Sequence, residues 1–327
     1  METRSSKFGL CGPQNSKSIF SHASGHILLF VSMYDACALR ATCREAHAAI
    51  AEFPFDEGGY WSESDQEWVE GTPIPSREAL AKWRICFPRA RGVNVSYLSI
   101  TDDDVALHLQ GMRSLEISGC LKLTSACFDS FKGIKRLVMN DCTQFGDEAF
   151  TNLRGIDFLA MVNCNQTSLT SAAFAHLQGI HTLVMLGCNQ STIDDRAFAY
   201  LSQKGRPPHT LHIGMCDQPT LTDASLRSIA GVKRLLMFGC PQFTDCAFAD
   251  LKAGGLETLD ISGCLQISNA CFPYLDQLST LIMNDLTSVD ERCLEFLKGV
   301  GFIDMGGCRK TVLRSAKKMG LKLGKYR

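Results

Sequence analysis

Eight cysteines of this chain stand in one frame: Cys120, Cys142, Cys164, Cys188, Cys216, Cys240, Cys264 and Cys308 follow one another at intervals of 22, 22, 24, 28, 24, 24 and 44 residues. The last interval is two periods, with Leu286 in the cysteine slot. Each is preceded by an apolar residue five positions back and another three back, as in Leu115-x-Ile117-x-x-Cys120, Leu137-x-Met139-x-x-Cys142, Leu259-x-Ile261-x-x-Cys264 and Ile303-x-Met305-x-x-Cys308. A chain with this period cannot build one central core. Each unit is a strand, a loop, a short helix and a return, and its apolar residues are covered only by the units before and after it.

A period of 20 to 29 with an L-x-L-x-x-[N/C] frame is the signature of leucine-rich repeats. The expected fold is an α/β solenoid, curved, with parallel strands inside and short helices outside. The second half of each unit repeats too, as in Leu169-Thr170-Ser171-Ala172-Ala173-Phe174. Thr124, Thr170, Asp194, Thr222, Thr244, Ser268 and Asp290 are good helix N-caps, and Asp147, Asp195, Asp223 and Asp245 just after a cap position favour the positive end of the helix dipole. Glycines 133, 155, 179, 231 and 299 are expected to supply a left-handed exit. The coil from Cys188 to Cys216 carries extra residues at Gln203 to Pro208, expected to bulge from the helix-to-strand return.

The eight frame cysteines, with Cys127, Cys271 and Cys293 in the small slot otherwise held by Ala149, Ala173, Ala197 and Ala247, read as packing residues: small buried hydrophobes with a weak S–H donor within reach of loop carbonyls. A zinc cluster would want closely paired ligands, which are absent, and a disulfide ladder would want oxidising surroundings. No cofactor and no metal are expected. His209-x-x-His212 is the nearest thing to a metal pair and reads as surface chemistry. There is no P-loop, no G-x-S-x-G, no H-E-x-x-H and no paired-carboxylate frame apart from helix caps, so no catalytic residues and no enzyme are expected.

Strand alternation turns two residues of each frame away from the core. The first column reads Glu116, Val138, Ala160, Val184, His212, Leu236, Asp260, Ile282 and Asp304; the second reads Ser118, Asn140, Val162, Leu186, Gly214, Phe238, Ser262, Asn284 and Gly306. Val138, Val162, Val184, Leu186, His212, Leu236, Phe238 and Asp260 are therefore the candidate partner-binding residues of the concave face, an apolar stripe of the kind that marks a binding site. The bland alternative is a stripe covered in part by the protein's own N-terminal region.

Lys and Arg number 33 against 34 Asp and Glu, a formal charge of -1. This balance predicts no nucleic-acid and no membrane partner. Met1 to Ser18 is polar and basic, read as a disordered start without a targeting signal, and Ile27 to Met33 is too short to span a bilayer. The expected location is the cytoplasm or the nucleus. Residues 309–327 carry eight basic residues and no acid, a composition that fits a nucleic-acid or nuclear-import patch; the preferred reading is a capping helix with a solvated basic face, since Leu313, Ala316 and Met319 make a helical stripe able to cover the last coil.

Residues 19–53 lie outside the repeat. Ile19-Phe20, Ile27-Leu28-Leu29-Phe30-Val31 and Asp35 to Arg44 form a run of short helices that resembles a degenerate F-box. Ile27, Val31, Asp35, Cys43 and Arg44 fit its pattern, while Ile19-Phe20 stands for Leu-Pro, Ala36 for Leu, Thr42 for Val and Ala46 for Trp. With repeats similar to the cysteine-containing class found beside F-boxes, the resemblance implies the substrate-recognition subunit of a Skp-cullin-F-box ubiquitin ligase. Ile19, Phe20, Ile27, Leu28, Val31 and Leu39 would dock on the Skp-type adaptor, and the solenoid would hold a protein substrate of unknown identity. The alternative is a stand-alone interaction scaffold whose N-terminal helices only cap the stack. Outside such a complex the chain is expected to be a monomer. Residues 54–75, acidic and turn-rich, read as a linker; the solenoid is set at 76–308, opened by a helix with Ser76 as its cap, with the basic cap at 309–327.

Overall fold

The computed structural model describes residues 36, 40, 44–56, 60–62, 67–69 and 71–325. These fall into two compact units, one formed by the residues up to Phe55 with Lys82–Ala90, the other by Asp56–Ala81 with Arg91–Arg327.

In the first unit a helix, Arg44–Glu52, buries Ala46 and Ile50. Phe55 packs edge-on against Phe53 at 4.7 Å and against Phe87 at 5.1 Å, and Trp83 lies 6.2 Å from Phe87. Arg89 pairs with Glu52 at 2.7 Å, and the Arg40 guanidinium donates to the carbonyl of Cys86. In the second unit, the helix beginning at Arg77 starts where the sequence placed it, the amide of Ala79 donating to Ser76 Oγ at 3.2 Å. The adaptor-docking candidates Ile19, Phe20, Ile27, Leu28, Val31 and Leu39 lie outside the described residues.

The second unit is built on one parallel sheet of ten three-residue strands, each paired with its neighbours in sequence. They are β3 (Gly92–Asn94), β4 (Ser114–Glu116), β5 (Arg136–Val138), β6 (Phe158–Ala160), β7 (Thr182–Val184), β8 (Thr210–His212), β9 (Arg234–Leu236), β10 (Thr258–Asp260), β11 (Thr280–Ile282) and β12 (Phe302–Asp304). Each is followed by a single turn or two of α- or 3-10 helix. All seven expected N-caps are in place: the side chains of Thr124, Thr170, Asp194, Thr222, Thr244, Ser268 and Asp290 each accept from the backbone two residues on.

Stacking repeats one packing solution. Leu115, Leu137, Leu159, Leu183, Leu211, Leu235, Leu259, Leu281 and Ile303 make one row beneath the sheet, and Phe128, Phe150, Phe174, Phe198, Phe248 and Phe272 make another, all at most 1% exposed. Cys127, Cys271 and Cys293 are buried in the alanine row. Every frame thiol donates to a backbone carbonyl one coil back: Cys120 to Val95, Cys142 to Ile117, Cys164 to Met139, Cys188 to Met161, Cys216 to Met185, Cys240 to Ile213, Cys264 to Met237 and Cys308 to Met283, at 2.8 to 3.5 Å. Burial pushes Cys120 and Cys164 up to about 12 and Cys142, Cys216 and Cys264 up to about 11.

The residue ahead of each frame cysteine turns left-handed. It is glycine at 119, 187, 239, 263 and 307, and Asp141, Asn163, Met215 and Asp285 elsewhere, with Tyr97 at the matching place of the first coil. Exit glycines 133, 155, 179 and 231 are left-handed as expected; Gly299 is not. The extra residues of the long coil form a 3-10 turn, Gln203–Gly205.

The helix-start aspartates do more than meet a dipole. Asp102, Asp147, Asp195, Asp223 and Asp245 each accept both the amide and the hydroxyl of the cap residue in the next coil: Thr124, Thr170, Thr222, Thr244 and Ser268, at 2.5 to 2.9 Å. They are staples between repeats.

Two departures concern the edges of the sheet. Tyr60–Ser62 (β1) and Glu67–Val69 (β2) pair antiparallel, and both feet of this ribbon are tied to the sheet: Asp56 bridges to Gly92, and Pro73 bridges to Asn94. At the opposite edge, Ile303 pairs with residues 322–324, donating to Lys322 O at 2.9 Å and accepting from Gly324 N at 3.0 Å. The basic tail thus caps with backbone as well as with a helix.

Candidate functional site: the open face of the sheet

The register places Glu116, Val138, Ala160, Val184, His212, Leu236, Asp260, Ile282 and Asp304 side by side across β4 to β12. This is the first of the two expected columns. Its central members do not present themselves to solvent, however. Val138, Val184 and Leu236 are 2 to 4% exposed, because each is flanked at the strand spacing of about 4.8 Å by side chains of both neighbouring strands. Val138, Ala160 and Val184 form a cluster with Phe158, against which Val162 and Leu186 pack. The first column is therefore a floor. The accessible part is the second column, where Val162, Leu186 and Phe238 are half-buried, together with Asp260.

His212 is 8% exposed, and its ring meets Phe238 edge-on at 5.5 Å. Burial pushes its imidazole down to about 4, so it is neutral at pH 7. Phe238 can lie this way because position 214 is glycine; a Cβ there would come within 2.5 Å of the Phe238 ring. His209 is not joined to His212. It is exposed and stacks on His181, ring centroids 4.7 Å apart and planes 9° from parallel. Asp260, between Leu236 and Ile282, accepts the amide of Ser262 at 2.9 Å, and burial raises its carboxyl above the usual range.

The β3 end of this face is filled by the chain itself. Asp56 pairs with Arg136 at 2.8 Å, Glu116 Oε1 accepts the amide of Gly71 at 2.7 Å, and Asn94 Nδ2 donates to the Gly71 carbonyl at 2.8 Å. Glu116, first of the column, is 2% exposed and serves this closure. The open area begins with Val162 and runs toward β12.

Two contributors were missed in the sequence. The strands carry a third outward position, two before the first column, and Phe158 occupies it on β6; counting two residues further back along the alternation would have found it. Met215 holds a left-handed conformation with φ 55 and is 52% exposed, beside the Phe238 strand. A non-glycine residue in the slot otherwise held by Gly187 and Gly239 was the available signal.

No family model matches the chain. Solved structures that it resembles include an internalin from Listeria monocytogenes, with 14% identity and a TM-score of 0.47 over 81% of this chain and 92% of that one. The Toll-like receptor of the TLR13-ssRNA13 complex aligns with 18% identity and a TM-score of 0.50 over 72% of this chain and 35% of that one. The fold is a leucine-rich-repeat solenoid. The crystal structure of the yeast Rad7 and Elc1 complex also aligns, with 13% identity and a TM-score of 0.48 over 94% of this chain and 92% of the other.

Proposed function

We propose that the chain is the substrate-recognition subunit of a Skp-cullin-F-box ubiquitin ligase, and not itself an enzyme. Its N-terminal helices dock on a Skp-type adaptor, and the row Val162, Leu186 and Phe238 holds the protein to be modified. The observation that carries the reading is a half-open apolar row on an otherwise polar-rimmed sheet, attached to a helical unit that does not share the repeat. Row residues that vary from strand to strand, over a scaffold that does not vary, suit the recognition of one surface. The F-box resemblance of residues 19–53 gives the adaptor side of the reading.

The test uses full-length protein mixed with a purified Skp-type adaptor and passed over a sizing column. Co-elution with the natural chain, lost in Ile27→Asp with Leu28→Asp, supports the assignment. A natural chain that elutes apart from the adaptor overturns it and leaves a stand-alone interaction scaffold.

A further inference from the structure

The basic C-terminal cap has a job left over after capping. In the terminal helix Lys310–Lys318, Val312 and Ala316 are fully buried on the last coil. At 100° per residue, Lys310, Arg314, Lys317 and Lys318 gather on the opposite face. All four are exposed, as are Arg309, Lys322 and Lys325. Residues 309–327 contain no acid, and none of the ion pairs among the described residues includes one of these seven cations. Glu291 on the neighbouring turn is the acid that feels Arg309. Capping alone would need Val312, Ala316 and the backbone pairing at Ile303, none of which calls for a one-sign surface.

The kind of anion follows from what the face lacks. Protein interfaces are centred on apolar or aromatic anchors and are depleted in lysine. An amphipathic helix lying on a membrane needs a free apolar side to insert, and here that side is spent on the last coil. A phosphate backbone needs neither: exposed cations displace its condensed counterions, and affinity comes from their release. We propose that the cationic face of Lys310–Lys318, with Lys322 and Lys325, is a sequence-independent docking surface for the nucleic-acid phosphate backbone. The near-zero charge of the whole chain conceals it, because the acids that balance these cations lie elsewhere.

The probe is a fluorescein-labelled duplex DNA of about 20 base pairs and mixed sequence, titrated with full-length protein at several salt concentrations and followed by anisotropy. Four to five phosphate contacts give a slope of log K against log salt near -4. Arg314→Gln with Lys317→Gln and Lys318→Gln should weaken binding by more than about tenfold at low salt and flatten the slope by about three. These side chains are exposed, and a thermal melt checks that the cap is intact; single substitutions Arg314→Gln and Lys318→Gln, each flattening the slope by about one, serve if the triple variant is unstable. Absence of duplex binding at low salt overturns the proposal, as does binding that the substitutions leave unchanged. Polyglutamate or phosphatidylserine vesicles that bind the same face more tightly than the duplex overturn it in favour of an acidic protein or a lipid surface.

Discussion

The two faces of the ten-stranded sheet are composed by different rules. Facing the helices, the row from Leu115 to Leu281 is leucine at every strand and isoleucine at Ile303. Three residues further along each coil, the more accessible row of the open face, from Ser118 to Gly306, runs Ser, Asn, Val, Leu, Gly, Phe, Ser, Asn, Gly. Stacking of identical coils demands identity on the buried side, because every residue there packs against its own counterpart. The open side is under no such demand, so its variety records something outside the stack. The contrast separates residues that hold the solenoid together from residues that use it.

Substitutions can break or sharpen this contrast. The largest loss of stability should follow truncation in the repeated core: Phe174→Ala, fully buried, should cost about 4 kcal/mol in a urea melt. On the open face, His212 is a buried titratable residue. Its folded-state pKa of about 4 lies below the ordinary 6.5, so the unfolded chain takes up a proton first as the pH falls. Stability that is complete above about pH 6.5 should decline between 6.5 and 4, by roughly 3 kcal/mol, and His212→Leu should flatten that limb in melts taken across the range. Asp260, with a raised pKa, contributes with the opposite sign, which is why the comparison is made on the histidine variant. Cutting a staple comes next: Asp223→Ala removes two hydrogen bonds from Thr244 and should cost about 1–2 kcal/mol, with the amides of the adjoining coils exchanging faster. Smallest on stability, about 1 kcal/mol, should be Leu186→Asp; together with Phe238→Asp it should nonetheless abolish capture of the protein partner. A melt displaced as far as that of Phe174→Ala would show that Leu186 belongs to the core.

The repeated half of the molecule was open to reading because it depends on local and next-neighbour rules. Frame, caps and thiol donors each need only one coil and the one before it. The open face was readable in register but not in exposure: alternation says which way Val138 and Leu236 point, while the crowding that buries them depends on what Phe158 and neighbouring strands bring. Contacts that join distant positions were out of reach. Nothing near Asp56 announces Arg136, eighty residues on, nor does Glu116 announce its partner in Gly71. The staples were out of reach for the same reason, since an aspartate at a helix start looks alike whether it answers only its own helix or also the threonine of the next coil.

The hydrogen-bonded thiols also make the chain a graduated clock. Among the described cysteines, Cys246 is exposed and Cys86 half-buried, while all the others are sealed. An alkylating reagent should therefore mark Cys246 within the native lifetime and reach each sealed thiol of the repeats only when its own coil opens. Since the frame cysteines sit one per coil across most of the stack, the order in which masses appear would map, coil by coil, where the solenoid frays first.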